Sequence, residues 1–182
     1  MSVTERAIQP RDRLIAGFAG LAIVIHVLEA GFPSPLPGIK PGLANVVVLI
    51  VLLRHGLAAA VWVNVLRVLA GSLLVGSFLA PGFWLSVGGA SASLLALAIG
   101  HGCNRLLPPG ARLSVVGLSV LAAVAHMGGQ FYLAWTLFIP HPGLLRLAPL
   151  LLGSGLVFGL FTGLLAGQVL RRLPPAGGPS AV

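Results

Sequence analysis

Arg67 is the side chain in this sequence best placed to do chemistry. It stands near the middle of an apolar run, Leu57–Leu79, about 15 Å from either end if that run is helical. A charge at such depth is costly, so it normally faces a bundle interior or a water-filled cavity, where it meets a buried acid or holds an anion. Asn64 lies one turn before it and Gly71 one turn after, and Ala60, Asn64, Arg67, Gly71 and Leu74 share one helix face. Glu29 is the only acid inside the apolar segments, one turn after His26 and on the same face. It can neutralise Arg67 or Lys40, or bind a substrate amine; spacing does not rank these. His126 and Gln130, four residues apart, face the bundle together. Lone membrane histidines are more often hydrogen-bonding groups than ligands. No Cys/His/Asp cluster has metal spacing, so neither a metal nor another cofactor is expected.

A second concentration of chemistry is the loop Pro33–Asn45, which carries Pro33, Pro35, Pro37 and Pro41 and the only lysine, Lys40. The prolines forbid a continuous helix. A new helix then begins at Leu43, with Asn45 in its first turn. Its free N–H groups and partial positive charge favour an anion. The plainer reading is a rigid hairpin that leaves Lys40 at the lipid headgroups.

These residues need a frame, and the sequence supplies six apolar segments. They run at about Leu14–Gly31, Leu43–Leu53, Leu57–Leu79, Phe83–His101, Leu113–Phe138 and Leu144–Leu170. Arg54-His55-Gly56, the tight turn Pro81-Gly82, the linker Gly102–Arg112 and Pro140–Gly143 separate the later ones. The second is too short to span by the usual rule of ~20 residues. It is either tucked among its neighbours or lengthened by part of the loop. Residues 1–13 read as a cytoplasmic N-terminal segment, 14–172 as the membrane domain and 173–182 as a disordered tail.

Composition agrees: 57% of residues are hydrophobic, 8% are charged, and the mean hydropathy is +1.04. A soluble domain has about 25% charged residues. The net charge of +8 points to topology rather than to nucleic acid. With the N-terminus inside, Arg6, Arg11, Arg13, Arg54, Arg105, Arg112, Arg171 and Arg172 are cytoplasmic, and only Lys40 and Arg146 face outward. The positive-inside rule therefore favours N-in, C-in. Two small-residue faces stand out. One carries Ser86, Gly89, Ala90, Ser93, Leu97 and Gly100, and the other Gly155, Gly159, Gly163 and Gly167. Such ridges let helices approach closely, within one chain or against another membrane subunit.

The run Leu36-Pro-Gly-Ile-Lys-Pro-Gly-Leu-Ala-Asn45, followed by Arg67 and Ser86-Val-Gly-Gly-Ala-Ser91, resembles the heptaprenyl diphosphate synthase component I family, also called Gx transporters. The likeness covers roughly Leu14 to Leu170. That family is similar to the six-helix substrate-binding (S) components of energy-coupling-factor transporters, which bind a small molecule near the outer face under a loop after the first helix. The resemblance thus implies an S-component-like fold and, as partners, a membrane coupling subunit and ATPases. The enzymatic name disagrees with the residues. Prenyl synthases hold Mg²⁺-diphosphate on Asp-rich motifs, whereas this chain has one Asp, Asp12, outside the apolar segments. No Gly-x-x-x-x-Gly-Lys-Ser/Thr occurs either.

The expectation is therefore a non-enzymatic, multi-pass transport protein of the bacterial inner membrane, surrounded by lipid and binding a small, anionic molecule. Lys40, Asn45, Asn64 and Arg67 would supply polar contacts, with Glu29 as charge partner. The alternatives are a non-catalytic subunit assisting heptaprenyl diphosphate synthesis, and a structural assembly subunit without a ligand.

Overall fold

A computed structural model describes residues 9–31 and 42–174. Lys40 and the rest of Pro33–Pro41 lie outside the described residues, as do most of the N-terminal segment and of the C-terminal tail. The described chain is helical: α1 (Pro10–Gly31), α2 (Leu43–His55), α3 (Leu57–Val75), α4 (Pro81–Leu106), α5 (Val115–Leu133), a short α6 (Pro142–Leu145) and α7 (Ala148–Arg172). A π-helical turn, Ala134–Phe138, extends α5. Five helical segments are long and apolar enough to cross a membrane: α1, α3, α4, α5 with its extension, and Pro142–Arg172. The molecule is an all-helical, multi-pass membrane protein.

Local chemistry explains where the helices start and stop. Pro10 opens α1, where a missing N–H costs nothing, and Asp12 reaches back to accept from the Gln9 N–H at 3.1 Å. The helix thus begins four residues before the expected Leu14, because polar Pro10–Arg13 make a good first turn. α3 stops at Val75 rather than Leu79. Gly76 takes φ +73, and the N–H groups of Gly76 and Ser77 return to the Leu73 and Ser72 carbonyls at 3.2 and 2.9 Å. That is a Schellman closure, and only glycine adopts the central conformation cheaply. Pro81-Gly82, expected as a turn, forms the first turn of α4 instead, with proline at the position that helices favour. Before α5, Asn104 holds Leu113 through two hydrogen bonds of 2.8 and 2.7 Å, and Ser114 caps the helix by accepting from the Gly117 N–H.

α2 is the short, tucked helix. Val46 to Leu52 are all buried, so two full turns are covered on every side, by α1, α3 and α7. The other seam joins α4, α5 and α7. Gly159 and Gly163 of α7 ride directly on the α5 backbone: a Cβ on either would stand 2.8 Å from the Val120 or Val116 Cα. Gly155 meets the Ala123 carbonyl in the same way, whereas Gly167 faces open space. The ridge is thus an internal seam for three of its four glycines. Ser119 and Thr162 hydrogen-bond across it at 3.0 Å. On α4, Gly89, Ala90, Ser93, Leu97 and Gly100 are buried as the small face requires.

Candidate functional site

The face of α3 expected from its spacing is buried at Ala60, Asn64, Arg67 and Gly71 but not at Leu74, which is 69% exposed. Leu74 lies in the last turn of α3. Ala60 sits in the core cluster under α2 and α1, and Gly71 lies against the His26 ring of α1. Arg67 is only 4% exposed. Its Nη1 donates to Asn45 Oδ1 at 3.0 Å and its Nη2 to Asn64 Oδ1 at 2.7 Å. Asn64 in turn donates from Nδ2 to the Ala90 carbonyl of α4 at 3.3 Å. Two amides from two helices therefore orient the guanidinium, and its Nε is buried without an acceptor among the described residues.

Glu29 acts on Arg67 through its charge, as the sequence allows, but its hydrogen bonds go to the backbone of α2. Its Oε1 accepts from the Leu43 N–H at 2.7 Å and its Oε2 from the Ala44 N–H at 3.5 Å. The carboxylate of α1 thus caps the N-terminus of α2, 6% exposed itself. The anion expected at that helix end is supplied by the protein. The reason is geometric: α1 and α2 run antiparallel, so residues flanking the loop meet, although 14 positions separate Glu29 from Leu43. Gly42, at φ +71, turns the chain into that first turn.

These groups border one cavity of about 140 Å³. Glu29 and His26 reach it from α1, Asn45 from α2, Arg67 from α3, Ser86 from α4, His126 and Gln130 from α5, and Thr162 from α7. Asn64 stands behind Arg67. Of the expected site residues, the structure thus brings Glu29, Asn45, Asn64 and Arg67 together, while Lys40 lies outside the described residues. His126 and Gln130 do face inward together. Phe158, Met127 and Thr162 complete the wall and carried no sequence signal, because apolar and small residues fill every segment alike. Among the described residues no three His, Cys, Asp or Glu side chains are grouped to hold a metal.

Residues 18–169 match the family model for heptaprenyl diphosphate synthase component I, and that span contains every residue of the cavity wall. The chain belongs to the heptaprenyl diphosphate synthase component I family. No curated protein and no solved structure matches it. Within this component I chain the arrangement offers one fixed guanidinium, two histidines and several neutral hydrogen-bonding groups around a small space. Such a set suits recognition of a small polar molecule through charge and hydrogen bonds.

Proposed function

We propose that this component I family member is a solute-binding subunit of a membrane transporter, similar to S components, that takes up a small molecule through its carboxylate or phosphate. The observation that carries this reading is Arg67: a buried guanidinium whose acceptors are neutral amides, at the wall of a cavity. A buried charge calls for an opposite charge or a function. Glu29, the nearby acid, acts on Arg67 through its charge, but its hydrogen bonds go to the start of α2 and none to the guanidinium. A substrate anion is then the natural counter-charge. The cavity, about 140 Å³, lies below the range of about 300–1,000 Å³ typical of drug-sized ligands, which favours a small solute. The reading places the protein in the bacterial inner membrane, N-in and C-in, with uptake energised by separate coupling and ATPase subunits and no chemistry performed by this chain.

The family description favours a second reading, a non-catalytic subunit beside a prenyl diphosphate synthase, presenting the same guanidinium to a diphosphate. Purification in native lipid, followed by mass spectrometry of what stays bound to wild type and to Arg67→Gln, separates the two. A water-soluble anion retained by wild type and lost from the variant is the expected result. A polyprenyl phosphate in its place supports the second reading, and bulk lipid alone in both samples overturns both.

A further inference from the structure

The walls of the cavity differ in chemistry, and the division runs along α5. Two neighbouring stripes of that helix border the space, each with the four-residue spacing of one helix face. His126 and Gln130 form the first, and they pack on Gly89 of α4, where a Cβ would stand 2.7 Å from either side chain. Ala123 and Met127 form the second, which lies against Gly155 of α7. Arg67 belongs with the first: Asn64, which holds its Nη2, is itself bonded to the carbonyl of Ala90, the residue after Gly89. The α7 wall offers no free polar side chain among the described residues. Gly155 and Phe158 have none, and Thr162 spends its hydroxyl on the Phe158 carbonyl at 2.7 Å and on Ser119 at 3.0 Å. Arg67 and the polar stripe thus stand toward α4, while Met127 and Phe158 make an apolar wall toward α7.

Resting on the anion-binding reading above, we infer that the ligand of this cavity is an anion with a short apolar body: its carboxylate or phosphate meets Arg67, and its hydrocarbon part covers Met127 and Phe158. Hydrocarbon laid on that wall leaves water, which is worth about fourfold in affinity per methylene. A polar group in the same place gives up its bonds to water and finds no partner. The cavity also bounds the length of the body. A cavity of about 150 Å³ takes up one benzene molecule, and the space here is about 140 Å³. Butyrate has as many non-hydrogen atoms as benzene, so about three carbons beyond a carboxylate fill the site, and a prenyl chain exceeds it.

Two series of probes, titrated against the purified, full-length protein, test this: acetate, propionate, butyrate and octanoate, and methyl, ethyl, propyl and octyl phosphate. In each series that binds, affinity should rise about fourfold per methylene through the first three members, and the octanoate or octyl member should bind no more tightly than the third. Met127→Gln keeps the side-chain length but sets an amide in the apolar wall. It should flatten the rise while leaving affinity for acetate or methyl phosphate unchanged. Flat or falling affinity over the first three members overturns the inference and leaves the anion site standing. A further gain at the longest member overturns it too, because the body is then not confined by this cavity, and so does a folded Met127→Gln that keeps the full rise. Absence of binding by every probe overturns the anion reading and this inference with it. The comparison within wild type decides the matter even if the variant does not fold.

Discussion

Arg67 and Glu29 come from neighbouring helices and border one cavity, yet each spends its hydrogen bonds elsewhere: the guanidinium on amides, the carboxylate on backbone. This division predicts how the two residues respond to mutation. Glu29→Ala orphans two buried N–H groups at the start of α2 and should cost about 1–3 kcal/mol. Glu29→Gln keeps one accepting oxygen but loses the second acceptor and the favourable charge at the helix end, the charge alone being worth about 0.3–2 kcal/mol. If Glu29 served chiefly as the ion-pair partner of Arg67, the Glu29→Gln/Arg67→Gln double variant would recover much of the stability lost in the single variants. Full recovery is not expected here, because the cap on α2 is weakened in the double variant as much as in Glu29→Gln alone. Thermal unfolding of wild type, Glu29→Ala, Glu29→Gln, Arg67→Gln and the double variant in one detergent measures this, and a double variant close to wild type would restore the ion-pair account.

At the level of the elements, the α5–α7 seam brings two helix backbones into close contact. Its glycines are required by distance rather than by conformation. A methyl group on Gly159 or Gly163 would stand 2.8 Å from an α5 Cα, and backbone atoms cannot give way as a flexible side chain can. Gly159→Ala and Gly163→Ala should each destabilise by about 1–3 kcal/mol, the ordinary cost of overpacking. Gly167 has the same spacing but open space beside it. Gly167→Ala should be neutral or stabilising by up to about 1 kcal/mol, as glycine in a helix interior is the poorer former. Thermal melts of the three variants check the contrast; equal losses at all three sites would mean that helix propensity, not the seam, governs this helix. The same seam positions Thr162 and His126 on facing helices, so a loosened seam should also widen the cavity.

For the whole molecule, the arginines at the start of α1, the end of α2, the end of α4 and the end of α7 all gather at one end of an alternating bundle. They are Arg11 and Arg13, Arg54, Arg105, and Arg171 with Arg172. By the positive-inside rule that end is expected to be the cytoplasmic one. Cys103 is free and exposed near the same end, whereas His141, also exposed, follows α5 at the opposite one. In intact cells a membrane-impermeant thiol reagent should therefore spare Cys103 and label His141→Cys in a Cys103→Ser background. The reverse pattern would invert the topology and turn the arginine-rich end outward.

The sequence by itself determined the class, the helical segments and the residue at the centre. Apolar runs of spanning length, glycine and proline stops and a net charge carried by arginine leave few alternatives to a membrane bundle, because hydrocarbon demands internally satisfied backbone. Arg67 was legible for the same reason, since a charge at that depth has to be accounted for. Periodicity also exposed the glycine ridge and the shared face of Asn64 and Arg67. What periodicity cannot supply is the neighbour that a face meets. Only the tertiary structure decided that the ridge lies on α5, that Leu74 turns outward, and that Glu29 caps α2. Those outcomes depend on contacts between segments far apart in the chain. A helix repeat says which side chains point the same way; which of them find hydrogen-bond partners, and which border a cavity with a bond still to make, is settled by the crossing of helices.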